Sequence, residues 1–276
     1  MPQWEQHLED LARDGFCVIP DGFPESFCDR ATAAMHRVAR EQLLAVADEA
    51  PAGHRTLRVL NLLQHDDLFQ EIPVHETVLS IVETYLDREC LLSGIDGIEI
   101  HPGEAAQPLH TDSWWHDDRR LDFPICVNSA LALVDFTQDN GATLLVPGSH
   151  AWPAERIEGT GFFRSAEDKP KGYGTEWMPV SAVAPKGSLI LWDSRLLHAG
   201  GANVSGKPRP AVISPYIVGW ARQLSNFAYA IPPEKARKFS PRLQELIGLA
   251  CYRGHYCHVD GKSPREFLWG REEVGV

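Results

Sequence analysis

Between Cys90 and about residue 230 the chain repeats one texture: a short apolar, β-branched run, then a stop made of Gly, Pro or Asn. The runs fall at 91–95, 97–100, 126–136, 143–146, 177–183, 188–192 and 211–218. Such runs suit a pleated, half-buried surface. No helical period separates them. Parallel neighbours need crossover connections, usually helical, so a series of strands without them is expected to pair antiparallel. Many short antiparallel strands point to a jelly roll, a double-sheet arrangement of the cupin type, also described as a double-stranded β-helix barrel. The expected class is mainly β with flanking helices.

Helical sequence flanks that texture. Trp4, Leu8 and Leu11 share one helical face, and Gly15–Ile19 then reads as a strand stopped by Pro20-Asp21-Gly22. Pro24 opens a helix expected to reach about Ala50, with Phe27, Ala31, Met35 and Val38 in period. Val74–Leu86 is a second amphipathic helix, and Pro232-Pro233-Glu234 starts helical sequence through Leu249. The organisation expected is one domain, 1–276: a helical buttress at 1–89, a jelly-roll core at about 90–230 and a helical tail at 231–276. The polar, Gly-rich stretch 156–174 reads as an insert beside the mouth of the barrel.

Composition excludes several roles. The 276 residues carry a formal net charge of −12, which opposes nucleic-acid binding. No apolar run approaches the 18 or so residues of a membrane span, and the start shows no secretory signal. The six cysteines show no framework spacing, so reduced thiols and a cytoplasmic location are expected. Oligomeric state, monomer or homodimer, is not written in the pattern.

The chemistry-bearing residues are histidines and acids. His-x-Asp occurs four times: at His65, His110, His116 and His258. Context separates them. His258 is the last histidine, so no third ligand follows it. His65 and His116 lie in polar, loop-like stretches. His110 alone follows a strand, Ile98-Glu99-Ile100, through the turn His101-Pro102-Gly103. Two positions apart on a strand, His110 and Asp112 face the same way. Two imidazoles and one carboxylate with open positions form the facial triad of non-haem Fe(II) oxygenases. His198, in Leu196-Leu197-His198-Ala199-Gly200-Gly201, supplies the second imidazole. Eleven residues later Arg209 opens the strand Ala211-Val212-Ile213.

With Gln107-Pro108-Leu109 before the first ligand and Asn140-Gly141-Ala142-Thr143-Leu144-Leu145-Val146-Pro147-Gly148 between the ligands, the chain resembles the phytanoyl-CoA dioxygenase family from about Gly15 to Tyr229. The resemblance implies Fe(II) held by His110, Asp112 and His198. It implies 2-oxoglutarate anchored by Arg209 and contacted by Gln107 and Thr143, with Asn61 a further candidate. O₂ is the oxidant, and ascorbate the expected reductant in vitro. A bidentate guanidinium–carboxylate pair explains the choice of arginine. Asp112 argues against halogenation, because halogenating relatives lack that carboxylate. Trp114, Trp115, His116, Phe136 and Trp220 are candidate substrate-pocket residues, with core packing as the alternative for each. Cys251, His255, Cys257 and His258 are too crowded for the usual zinc spacing. The expected activity is oxidation of an apolar small molecule, such as a secondary metabolite, with formation of succinate and CO₂. The alternatives are 2-hydroxylation of an acyl-CoA and a metal-retaining cupin-like binding or sensor protein.

Overall fold

The computed structural model describes residues 3–49, 53–112, 121–153, 156 and 178–270. The chain begins with α1 (Gln3–Asp14), β1 (Phe16–Ile19), α2 (Glu25–Glu41), β2 (Ala47–Glu49) and β3 (Gly53–Val59). It continues through α3 (Leu62–His65), α4 (Glu76–Tyr85), β4 (Leu91–Leu92), β5 (Asp96–Ile100), β6 (Cys126–Ala132) and β7 (Leu144–Leu145). Then follow β8 (Val180–Ser181), β9 (Leu189–Asp193), β10 (His198–Ala199), β11 (Arg209–Ile213) and β12 (Tyr216–Ile217). The tail carries α5 (Phe227–Ala230), α6 (Pro233–Ala236), α7 (Pro241–Leu246) and α8 (Pro264–Trp269). Ser240 and Ser263 cap α7 and α8 by accepting from Leu243 N and Glu266 N, with proline at the first helical position of each.

Every strand pairing is antiparallel. Nine strands form the major sheet, whose main path runs β1-β9-β6-β11-β5-β3-β2, and three form the minor sheet, β10-β7-β8. Alternation along the strands assigns the two faces of the major sheet. Leu189 and Leu191 of β9, Leu131 of β6 and Val212 of β11 join the core beneath the helices, with Phe27 and Met35 of α2 and Val82 of α4. Ile190, Trp192, Ala130, Ala132 and Ala211 point the other way and pack with Leu145 of the minor sheet and with Ala182 and Ala184 just beyond β8. Small side chains on that inner face let the two sheets approach and leave room for a cavity.

The jelly-roll expectation holds, with corrections. The sheets face each other but do not close into one barrel: β7, β8 and β10 are two residues long, and Phe136↔Ala184 is an isolated bridge. Residues 1–89 are not wholly helical, since β1, β2 and β3 belong to the major sheet. The helix expected to reach Ala50 stops at Glu41. Leu43 turns left-handed (φ 55), and the Leu44 and Leu43 amides bond back to Ala39 O and Arg40 O in a Schellman closure. The apolar period runs on in sequence, but Leu43 is 89% exposed, so nothing there rewards more helix.

Candidate metal centre and its cavity

Two short segments, paired backbone to backbone, create the centre. His110 N donates to His198 O and His198 N to His110 O, both at 2.9 Å. This reciprocal bridge joins two candidate ligands 88 positions apart and sets their rings 4.4 Å apart, centroid to centroid. Two residues on, Asp112 N donates to Ser194 O at 2.8 Å. The His110 and Asp112 side chains therefore face the same way, as the strand spacing requires. Asp112 Oδ2 lies 3.3 Å from His198 Nε2, and Oδ1 lies 3.9 Å from His110 Nε2. Ligand atoms of all three residues fall within 4.8 Å of one another. Among the described residues this is the one His/Cys/Asp/Glu cluster able to hold a metal. Cys251, His255, Cys257 and His258 form no such cluster.

Backbone carbonyls select the tautomers. His110 Nδ1 pairs with Pro108 O and His198 Nδ1 with Leu196 O, each at 2.9 Å. A carbonyl only accepts, so each Nδ1 carries the hydrogen and each Nε2 presents a lone pair to the centre. Burial, reinforced by the charge of His198, pushes His110 down to about 4, so it is neutral at pH 7. Burial opposes the charge on Asp112, but His198 and an Asn128 hydrogen bond outweigh it and hold the carboxyl at about 2. Burial also opposes the charge on His198, and Asp112 outweighs it, raising the imidazole. Two neutralisable imidazoles and an anion are the donor set a divalent cation requires.

A cavity of about 230 Å³ runs from this centre along the inner face of the major sheet. Arg209 shares that face with Ala211 by alternation along β11, and it is 4% exposed. One Nη2–H donates to Gly141 O at 2.6 Å, and the guanidinium lies 4.5 Å over the Phe136 ring. Among the described residues its Nε has no partner, and burial lowers its pKa to about 10 with no anion opposing the shift. An uncompensated buried cation is costly, and here it lines a cavity. The loops beside it lie backbone to backbone. Gly141 sits at φ +86, and an added Cβ would come within 2.9 Å of Gly201 O; one on Gly201 would come within 2.5 Å of Ala142 O. Glycine is required at both positions. Asn203 fixes the approach to Arg209 by donating to Ile100 O and Lys207 O.

Gln107 and Thr143 also line the cavity. The Gln107 oxygen accepts from Gly200 N at 2.8 Å, so what it can offer a ligand is its Nε2 hydrogens. Other candidates fall elsewhere. Asn61 is left-handed (φ 51), its N–H bonded to Asp96, and it does not line the cavity. Phe136 is buried in the inter-sheet core as a platform under Arg209. Trp220 is 54% exposed in a surface cleft of about 1100 Å³ beside Tyr252 and Tyr256. Trp114, Trp115 and His116 lie outside the described residues, as does the 156–174 insert except Arg156. Sequence reading missed Asn128, whose Nδ2 donates to Asp112 Oδ2 at 2.8 Å, and Thr56 and Arg58 of β3, which line the cavity. Leu57 and Val59, alternating with Thr56 and Arg58, carried the period-2 signal for that strand.

Comparison with known proteins agrees with this geometry. The profile of the phytanoyl-CoA dioxygenase (PhyH) family matches residues 11–211. The multifunctional dioxygenase ausE of Emericella nidulans is 34% identical over 269 residues, covering 93% of this chain and 86% of that protein. Among solved structures, the epimerase SnoN in complex with Fe³⁺, alpha ketoglutarate and nogalamycin RO is 20% identical with a TM-score of 0.61, covering 82% of this chain and 88% of that one. HygX from Streptomyces hygroscopicus, with nickel and 2-oxoglutarate bound, is 19% identical with a TM-score of 0.59, covering 79% and 88%. At those identities the structures speak for the fold.

Proposed function

The chain belongs to the phytanoyl-CoA dioxygenase family, and on that premise we propose that it oxidises an apolar small molecule with Fe(II) held by His110, Asp112 and His198 and 2-oxoglutarate anchored by Arg209. When bound, iron, 2-oxoglutarate and O₂ together supply the oxidant: the keto acid leaves as succinate and CO₂, and a substrate C–H bond is oxidised.

The chain's own residues do the rest. The Pro108 and Leu196 carbonyls hold both Nε2 lone pairs toward the metal. Arg209 takes the distal carboxylate as a bidentate partner, and that carboxylate supplies the anion the buried guanidinium lacks. Gln107 Nε2 and the Thr143 hydroxyl fix the cosubstrate's rotation about the line from metal to arginine. Ile98, Ile100 and Ile213 give the same cavity apolar wall, which suits a hydrocarbon surface. The observation that carries this reading is Arg209: a buried cation without a carboxylate partner among the described residues, in a cavity that the ligand triad also lines.

Succinate release from 2-oxoglutarate, measured with Fe(II) and ascorbate across a panel of apolar natural products, free fatty acids and their CoA esters, tests the proposal. Stimulation by an apolar small molecule supports it. Stimulation confined to CoA esters moves the substrate to an acyl-CoA. Wild-type turnover in His198→Ala overturns the metal assignment.

A further inference from the structure

Of the three prospective ligands, Asp112 is held least by burial. Its side chain is 29% exposed, against 6% for His110 and for His198. A carboxylate sits on a terminal torsion with a broad, two-fold profile, so nothing intrinsic selects one orientation. The histidines have a backbone carbonyl behind each ring; Asp112 has a side chain instead. Asn128 Nδ2 donates to Asp112 Oδ2 at 2.8 Å. That oxygen is also the one 3.3 Å from His198 Nε2.

Asn128 is itself buried and set in a paired strand. It lies in β6, where every residue is buried, and pairs with Trp192 of β9 in the middle of the major sheet. Alternation puts it on the inner face with Ala130 and Ala132. A buried amide on an otherwise alanine face needs a polar partner, and its partner is the metal-binding carboxylate. We propose that Asn128 is a positioning residue: it transfers the rigidity of the major sheet to Asp112, committing one carboxylate oxygen to the protein and turning the group toward the metal. The inference rests on the ligand assignment above and adds a residue to it. Outer partners of metal ligands commonly contribute about 10–100-fold to metal affinity.

The test is titration of the metal-free protein with Co(II), read by the visible ligand-field bands, with the melting temperature of the metal-free protein recorded alongside. Asn128→Leu keeps the branched outline and removes the donor; Asn128→Ala is the second variant should the larger Leu fail to fold. The expected result is Co(II) binding weaker by about 10–100-fold with altered bands, while wild type and variant melt within a few degrees of each other without metal. Affinity within threefold of wild type and unchanged bands would overturn the proposal, as would a variant that only melts earlier. The ligand assignment fails separately, if wild type does not bind Co(II) one to one or if His198→Ala binds it as tightly.

Discussion

The two ends of the cavity solve the problem of buried charge in opposite ways. At the metal end the groups satisfy each other: Asp112 lies between two imidazoles and accepts from Asn128, and both rings bond to carbonyls. At the far end Arg209 has one carbonyl, an aromatic face and no carboxylate. The drop of Arg209 from its ordinary value to about 10 corresponds to a burial penalty on the order of 3 kcal/mol at neutral pH. The first end is compensated from within. The second holds a penalty that only an anion removes. Cosubstrate affinity is therefore expected to concentrate at Arg209, and metal affinity in the triad.

The largest expected effect lies at the metal end. His110→Ala, Asp112→Ala and His198→Ala should each abolish metal-dependent succinate formation and Co(II) binding; activity surviving in any of them breaks the contrast at once. Arg209→Met should leave metal binding intact and weaken 2-oxoglutarate by about 10–150-fold, the equivalent of a charged hydrogen-bond set of about 1.5–3 kcal/mol. Removing an uncompensated cation should also raise the melting temperature of the ligand-free protein, whereas truncation of a paired residue lowers it. A lower melting temperature in Arg209→Met would show that the Gly141 hydrogen bond and the Phe136 contact outweigh the burial penalty, and the contrast between the two ends would fail.

In wild type loaded with metal, 2-oxoglutarate at a hundred times its Kd should add about 2.7 kcal/mol of stability, on the order of 5–10 °C in melting temperature for a chain of this size. The same concentration should move Arg209→Met by only about 0.3–1.4 kcal/mol, roughly half of the wild-type gain or less, as calorimetry would measure. Smallest are the residues outside the cavity. Trp220→Ala should leave 2-oxoglutarate affinity unchanged. Asn61→Ala should do so as well while losing about 1 kcal/mol, because its left-handed backbone penalises alanine. A shift in cosubstrate Kd for either would return that residue to the site.

How much of this was legible in the chain follows the same division. His110, Asp112, His198 and Arg209 are each marked by spelling and by a place at the head or end of a strand. Asn128 had no such mark: an Asn inside Cys126–Ala132 reads as one more strand residue. Its importance comes from β6–β9 register and from a contact 16 positions back along the chain. Phe136 was legible as a large ring near the site but not as the support beneath Arg209, since alternation alone does not say what lies behind a side chain. The strand-rich core was legible because composition and alternation agree there. Helix α2 was overextended because the apolar period continued to Leu43 after the burial that gives it meaning had ended.

The reciprocal His110–His198 bridge sets a limit on biogenesis. A ribosome that has released only the first 190 residues holds a chain with two of the three donors and no strand to lock them. On the proposed ligand set, capture of the ion therefore waits until the Leu196–Ala199 segment has emerged and paired with the stretch that carries His110.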